Sequence, residues 1–261
     1  MEPITVWMTP SGPNSWKVVI VLKELELPYK VNSFKFEEVK KCPFIDINPN
    51  GRVPAIEDPN TQITLWESGA IIQYLIEQYD RNHMLSYDTL RERQLCNQWL
   101  HFQMSGQGPY YGQCAWYVQM LAIQQLQTDI KTRFKVLHYE NIPSAIERYT
   151  KEIHRILSVL NGVLEGKPWL VGDKMTFADL AFLPWHERID QLLSIPRDEA
   201  LGQYPNVLAW HTRMRTLETW RDCEAERARL MCEQGLGING LPKGVDNMEE
   251  FQKLMAEGKL E

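Results

Sequence analysis

Residues 4–25, ITVWMTPSGPNSWKVVIVLKEL, decide the fold. Ile4–Thr9 is short, apolar and β-prone. Pro10-Ser11-Gly12-Pro13 is a cluster of chain breakers. Asn14 then precedes Trp16, Val18, Val19, Ile20, Val21, Leu22 and Leu25. That run is too rich in apolar residues for a single amphipathic face, so the helix is expected to be covered on most sides. Leu27-Pro28 stops it, and Tyr29–Phe34 reads as a second strand. Two strands joined through a helix should pair in parallel with a right-handed crossover.

Downstream, 40–47 reads as a loop or short helix and Asn48-Pro49-Asn50-Gly51 as a turn. Val53–Ile56 and Gln62–Trp66 look like a hairpin closed by Asp58-Pro59-Asn60-Thr61. Glu67-Ser68-Gly69 opens a helix with Ile71, Ile72, Leu75, Ile76 and Tyr79 on one face. The order over residues 1–80 is therefore β-α-β-α-β-β-α, a small α/β domain. A polar linker follows at 81–86, and the pattern from 87 to 234 is all-helical. Ile146, Tyr149, Ile153, Ile156, Leu157, Leu160 and Leu164 keep helical spacing over five turns. Thr176-Phe177-Ala178-Asp179 reads as a capping box, and Pro184 should kink the helix it opens. The stretch 121–142 reads as an insertion, and 235–261 as an extension that covers a surface or frays.

Composition removes several functions. The 261 residues hold 34 acidic and 28 basic side chains, and neither half is basic, so nucleic acid is a poor partner. The longest apolar run, Leu180–Trp185, is far below the roughly 20 residues of a membrane span. Met1–Ile4 shows no secretory leader, and Cys42, Cys96, Cys114, Cys223 and Cys232 are scattered with no CxxC pair. A cytoplasmic protein with reduced thiols and no metal site is expected. Nucleotide-loop and metallohydrolase motifs are absent. Nine Trp, ten Tyr and eight Phe leave enough aromatic surface for both a core and an apolar pocket.

Six segments, taken in order, carry a family likeness: Gly12-Pro13-Asn14-Ser15-Trp16-Lys17-Val18, Asn48-Pro49-Asn50-Gly51-Arg52-Val53-Pro54-Ala55, Trp66-Glu67-Ser68-Gly69-Ala70-Ile71, Ser105-Gly106-Gln107-Gly108-Pro109-Tyr110, Ile146-Glu147-Arg148-Tyr149 and Phe177-Ala178-Asp179-Leu180. Together they resemble the cytosolic glutathione transferases. The likeness is nearest to the fungal branch related to the prion-forming regulator of yeast nitrogen metabolism, and to the bacterial nu class. It implies a thioredoxin-like domain that binds glutathione, a helical domain that holds a second substrate, and a homodimer.

The residues have physical roles consistent with that likeness. Asn14 at a helix start either caps the helix or donates to a thiolate, which helix N-termini favour. The resemblance selects the second role, with Ser11 and Ser15 as runners-up. Gly12 stands where the nu class often has Thr, and its N–H is the available substitute donor. Glu67 suits the γ-glutamyl ammonium of glutathione, and Ser68 at a helix start suits its carboxylate. Val53 would pair with the cysteinyl backbone ahead of a cis Pro54, as the resemblance implies. Lys40, Lys41 and Arg52 are the candidates for the glycine carboxylate. Tyr110, Tyr111, Trp116 and Tyr117, with Met8 and Thr9 opposite, would line the electrophile pocket, and a mixed disulfide at Cys114 is conceivable beside them. The expected activity is conjugation of a small, apolar or bulky electrophile, or reduction of a disulfide. The alternative is a non-catalytic glutathione-binding regulatory module.

Overall fold

Strand β1 (Ile4–Met8) alternates buried and half-buried residues, so Ile4, Val6 and Met8 face one layer while Thr5 and Trp7 face the other. Strand β2 (Tyr29–Ser33) pairs with β1 in parallel, Val6 opposite Val31. Strand β3 (Ala55–Asp58) lies antiparallel on β1's other side, Val6 opposite Ile56. Strand β4 (Ile63–Trp66) completes the hairpin with β3, giving the order β2-β1-β3-β4. The computed structural model describes residues 1–35, 38–118, 142–237, 240–245, 250, 253–254 and 257–258, with the side chains of 116–118 excepted.

Helices α1 (Pro13–Glu24) and α3 (Ser68–Tyr79) share one core cluster with Ile4, Val6 and Met8. On the other face Trp7 and Phe34 pack around Phe44 of the short α2 (Phe44–Ile47), with ring centroids 4.8–6.3 Å apart. Gly12 is the N-cap of α1 and Pro13 its first residue, which suits a residue with no N–H to leave unpaired. Asn14 is thus inside the first turn and is not the cap.

The helical part comprises α4 (Leu90–Phe102), a π-helical turn at Gln103–Gln107, α5 (Gly108–Val118), α6 (Pro143–Val163), α7 (Phe177–His186), α8 (Ile189–Leu193), α9 (Arg197–Gly202), α10 (Pro205–Arg215) and α11 (Glu218–Glu233). The stripe read from the sequence, Ile146, Ile153, Ile156, Leu157 and Leu160, is the buried face of α6. The expected insertion lies outside the described residues apart from Ile142, the N-cap of α6. Pro184 sits inside α7, which ends two residues later, and Ile189 begins a separate helix.

The capping box of α7 is formed, and Asp179 does more than close it. Its carboxylate accepts from Thr176 N–H and Oγ1–H, both at 2.9 Å, from Leu170 N–H at 3.0 Å and from Trp210 Nε1–H at 2.9 Å. One buried carboxylate thereby ties α7 to α10 and to the loop before α7.

Helix α1 has no solvent face: Ser15 through Leu22 are all buried. An isolated 12-residue helix is marginal in water, so its stability comes from its surroundings, α3 on one side and α7 and α11 on the other. Lys17, in the middle of this run, is 1% exposed. Its Nζ donates to Gln103 Oε1 at 2.9 Å and contacts Met104 Sδ at 3.3 Å. Gln103 Nε2 donates to Gln107 Oε1 at 3.0 Å, and Gln107 Nε2 to the Phe182 carbonyl of α7 at 3.3 Å. Burial pulls the Lys17 ammonium down from 10.5 to about 7, with Glu67 pulling the other way.

Two variants test these buried polar groups. Asp179→Ala leaves four buried donors unpaired and is expected to cost about 3 kcal/mol or more, measured by urea unfolding; a loss under about 1 kcal/mol would contradict the tie. For Lys17, both folded and unfolded chains hold the proton below pH 7, so the cost of burial is then fully present. Between 7 and 10.5 only the unfolded chain keeps it, so stability rises with pH across that window. Lys17→Met abolishes this slope: relative to the native chain it should forfeit about 2 kcal/mol between about pH 7 and about pH 9. Parallel unfolding curves for the two proteins at both pH values would refute it.

Candidate active site

The loop between β1 and α1 brings Ser11, Gly12 and Asn14 to the edge of the helical part. Asn14 is half-buried, and its Oδ1 accepts from Trp185 Nε1 of α7 at 3.0 Å. An indole nitrogen can only donate, so the amide atom facing it must be oxygen. The two Nδ2 hydrogens are therefore turned away from Trp185. Together with the unpaired N–H groups of the first helical turn, they make a donor set suited to an anion.

The runners-up separate. Ser15 is fully buried and its Oγ has no partner and no solvent access, which takes it out of the candidate site. Ser11 stays half-buried, and its carbonyl accepts from the Arg188 guanidinium. Gly240 of the tail, at φ +81°, comes so close that a Cβ there would fall 2.6 Å from Ser11 Cβ. Gly240 thus packs against this loop. The Gly12 N–H makes a long bond to the Thr9 carbonyl at 3.4 Å, so it is not the idle donor the sequence suggested.

Beside the loop, a Cβ on Gly12 would lie 3.8 Å from Val53 Cγ2, which puts Val53 next to the start of α1. The Val53–Pro54 peptide is cis, as the resemblance implied. Gly51, at φ +56°, has no room for a side chain: a Cβ would meet the Val39 carbonyl at 2.6 Å. Arg52 is exposed, and its carbonyl accepts from Asn48 Nδ2 at 2.6 Å. Lys40 is exposed with its Nζ bound to the Asn50 carbonyl at 2.6 Å, and Lys41 is exposed. Exposed Cys42 is no activated thiol, because a hydrogen bond with Asp46 pushes its pKa up.

Glu67 is the N-cap of α3, exposed, and holds φ +71°, ψ +112°. A non-glycine residue at positive φ is strained, and such strain persists where the surroundings impose it. Ser68 is 3% exposed, its Oγ 3.5 Å from Met104 Sδ. Gly69 lets Met104 in: a Cβ there would lie 2.9 Å from Met104 Cγ.

The expected electrophile pocket is mostly core. Met8 (0% exposed) and Thr9 (4%) are interior, and Tyr111 (0%) packs edge-on to Trp185 with centroids 6.2 Å apart. Tyr110 remains half-buried against Tyr149. Trp116 and Tyr117 stand on α5, but their side chains lie outside the described residues. Cys114 is buried, with its thiol pushed up to about 12 by desolvation, which argues against a mixed disulfide there. A groove of about 540 Å³ between α3 and α4, around Gln73, Asp80 and Arg93, lies away from Asn14, so size alone does not locate the chemistry. A smaller cavity of about 220 Å³ opens behind the start of α1, beside Pro13, Trp16, Arg188 and Arg227. Among the described residues no three His, Cys, Asp or Glu side chains converge as a metal site.

Sequence reading missed Trp185, Arg188, Lys17 and Gln103. Only Lys17 left a signal, as a lone charge inside an apolar run.

Residues 2–77 match the N-terminal domain of glutathione S-transferases, and residues 123–218 match the C-terminal domain. The chain is 44% identical over 223 residues to the glutathione S-transferase-like protein tpcF of Aspergillus fumigatus, covering 82% of this chain and 91% of that one. It is 32% identical to protein URE2 of Saccharomyces bayanus, covering 82% and 67% respectively. Its fold is similar to that of the glutathione transferase URE2P6 from Phanerochaete chrysosporium in complex with oxidized glutathione, with a TM-score of 0.77, 39% identity, and 88% and 98% of the two chains covered. Both domains, the sheet topology and these relatives agree, and the chain belongs to the glutathione S-transferase family.

Proposed function

We propose that this protein is a glutathione-dependent transferase or thiol–disulfide oxidoreductase in which Asn14 holds the glutathione thiolate. The observation that carries the reading is the Trp185–Asn14 bond, which fixes the amide with its two N–H donors free of the indole. Glu67 receives the γ-glutamyl ammonium and Ser68, at the start of α3, its carboxylate. Val53 offers its backbone to the cysteinyl part. Arg52 is a better candidate for the glycine carboxylate than Lys40, which is already bound to Asn50. The thiolate then attacks an electrophilic carbon and expels its leaving group, or attacks a disulfide sulfur and releases a thiol. Catalysis comes from orientation and from the stabilised thiolate.

The second substrate is a small apolar or bulky compound, held near Tyr110 and the aromatic end of α5. The oxidized glutathione bound by the Phanerochaete relative supports the disulfide branch. A homodimer belongs to the same proposal, with Trp66, Met84 and Leu90 as exposed apolar side chains available to a partner copy. A cytoplasmic setting is consistent with five unpaired cysteines. The likeness to URE2 proteins sustains a second reading, a glutathione-binding regulatory module. Inert kinetics together with a stable protein partner would select it.

The test is a rate panel with an aryl halide and a mixed disulfide. Asn14→Ala should lower kcat/KM roughly tenfold to a hundredfold, matching the loss of one hydrogen bond to a charged group, and should raise the pKa of bound thiol read by thiolate absorbance. Trp185→Phe, which frees Oδ1, should lower kcat with less effect on glutathione affinity. Unchanged rates in Asn14→Ala, or no measurable glutathione binding by the native protein, would overturn the proposal.

A further inference from the structure

Among the described residues, no acidic side chain makes hydrogen-bond contact with the buried Lys17 ammonium. Its two contacts, Gln103 Oε1 at 2.9 Å and Met104 Sδ at 3.3 Å, are neutral. A buried ammonium held only by neutral groups is costly, and a nearby anion relieves that cost. The helices against α1 supply little. In α3, Glu67 at the N-cap acts on Lys17 from an exposed position. In α7, Asp179 is taken up by Thr176, Leu170 and Trp210, and His186 is kept neutral by burial and by His211. In α11, Glu226 is bound to Lys23 and Tyr29, and burial pushes the Cys223 thiol up so that it stays neutral.

The missing anion has a natural seat. Ser68 Oγ lies 3.5 Å from the same Met104 sulfur that Lys17 touches at 3.3 Å. The first turn of α3 and the Lys17 ammonium are thus separated by one thioether, which is polarisable and conformationally adaptable. A carboxylate accepted at the start of α3 would face Lys17 across that sulfur in a largely water-free interior.

We propose that Lys17 is a positioning residue of the γ-glutamyl subsite: the ligand carboxylate seated at Ser68 draws a proton from solvent onto Lys17, so the protonated protein binds the ligand more tightly. The inference rests on the reading of Glu67 and Ser68 given above. The ligand ammonium neutralises Glu67 at the rim, while the carboxylate adds negative charge on the buried side, nearer Lys17. The native amine titrates near neutrality, at about 7, so the uptake falls within an accessible pH range. The ligand carboxylate, partly offset by its own ammonium, is expected to shift this equilibrium about tenfold, which is about one pKa unit.

The experiment is calorimetric binding of S-methylglutathione, which has no thiol to titrate, in buffers of different ionisation enthalpy. The native protein should take up about half a proton per ligand near pH 7.5, and its affinity should fall about fivefold from about pH 6 to about pH 8. Lys17→Met should bind with no such uptake and a flatter profile, which also controls for titration of the ligand and of Glu67. Binding by the native protein without proton uptake overturns this inference and leaves the glutathione reading intact. Uptake that persists in a folded Lys17→Met protein also overturns it. Failure of the native protein to bind S-methylglutathione removes the glutathione reading, and this inference with it.

Discussion

The structure depends on one helix with nowhere to face water. Because α1 is covered on every side, the sheet and the helical bundle are not free to choose their relative position; both must close on the same rod. Asn14 and Lys17, three positions apart and so near each other on the helix surface, are two polar residues of α1 that reach across to the helical part. Asn14 is held by Trp185, and Lys17 by Gln103 and Met104. The apolar face of α1 sets how close the two parts come, and this polar pair sets their register. The geometry around Asn14 and the fold are therefore the same constraint in this protein.

The π-helical turn is where that constraint is met from the other side. A wider turn between α4 and α5 carries Gln103 and Met104 to Lys17 and lets Gln107 reach the Phe182 carbonyl. The chain of amides it builds, lysine to glutamine to glutamine to carbonyl, satisfies buried groups that a regular helix would carry elsewhere. Met104 leans over Gly69 from the same turn, so the start of α3 is shaped by a residue that belongs to the helical part.

Much of this was legible in the sequence, and the pattern of what was not is physical. Local signals held: the breaker cluster before α1, the hairpin before Glu67 and the Thr176–Asp179 box all act within a few residues, where spacing is informative. Partition of similar residues between core and site was not legible. Ser11 and Ser15, or Tyr110 and Tyr111, are chemically alike and differ only in which side of a helix or loop they occupy after packing. Asn14 was readable as a candidate, but the group that orients its amide comes from a tryptophan 171 residues away. Lys17 stands out on paper as a lone charge in an apolar run, but its partner Gln103, 86 residues away, does not.

The contact between Gly240 and Ser11 has a consequence for where this protein ends in functional terms. The family match stops at residue 218, well before the glycine that rests on the loop beside Asn14. Leu241 and Val245, both nearly inaccessible, anchor that stretch. The boundary drawn by homology and the boundary drawn by enclosure therefore differ. Relatives that diverge after residue 218 would keep the loop around Asn14 while exchanging what rests on it.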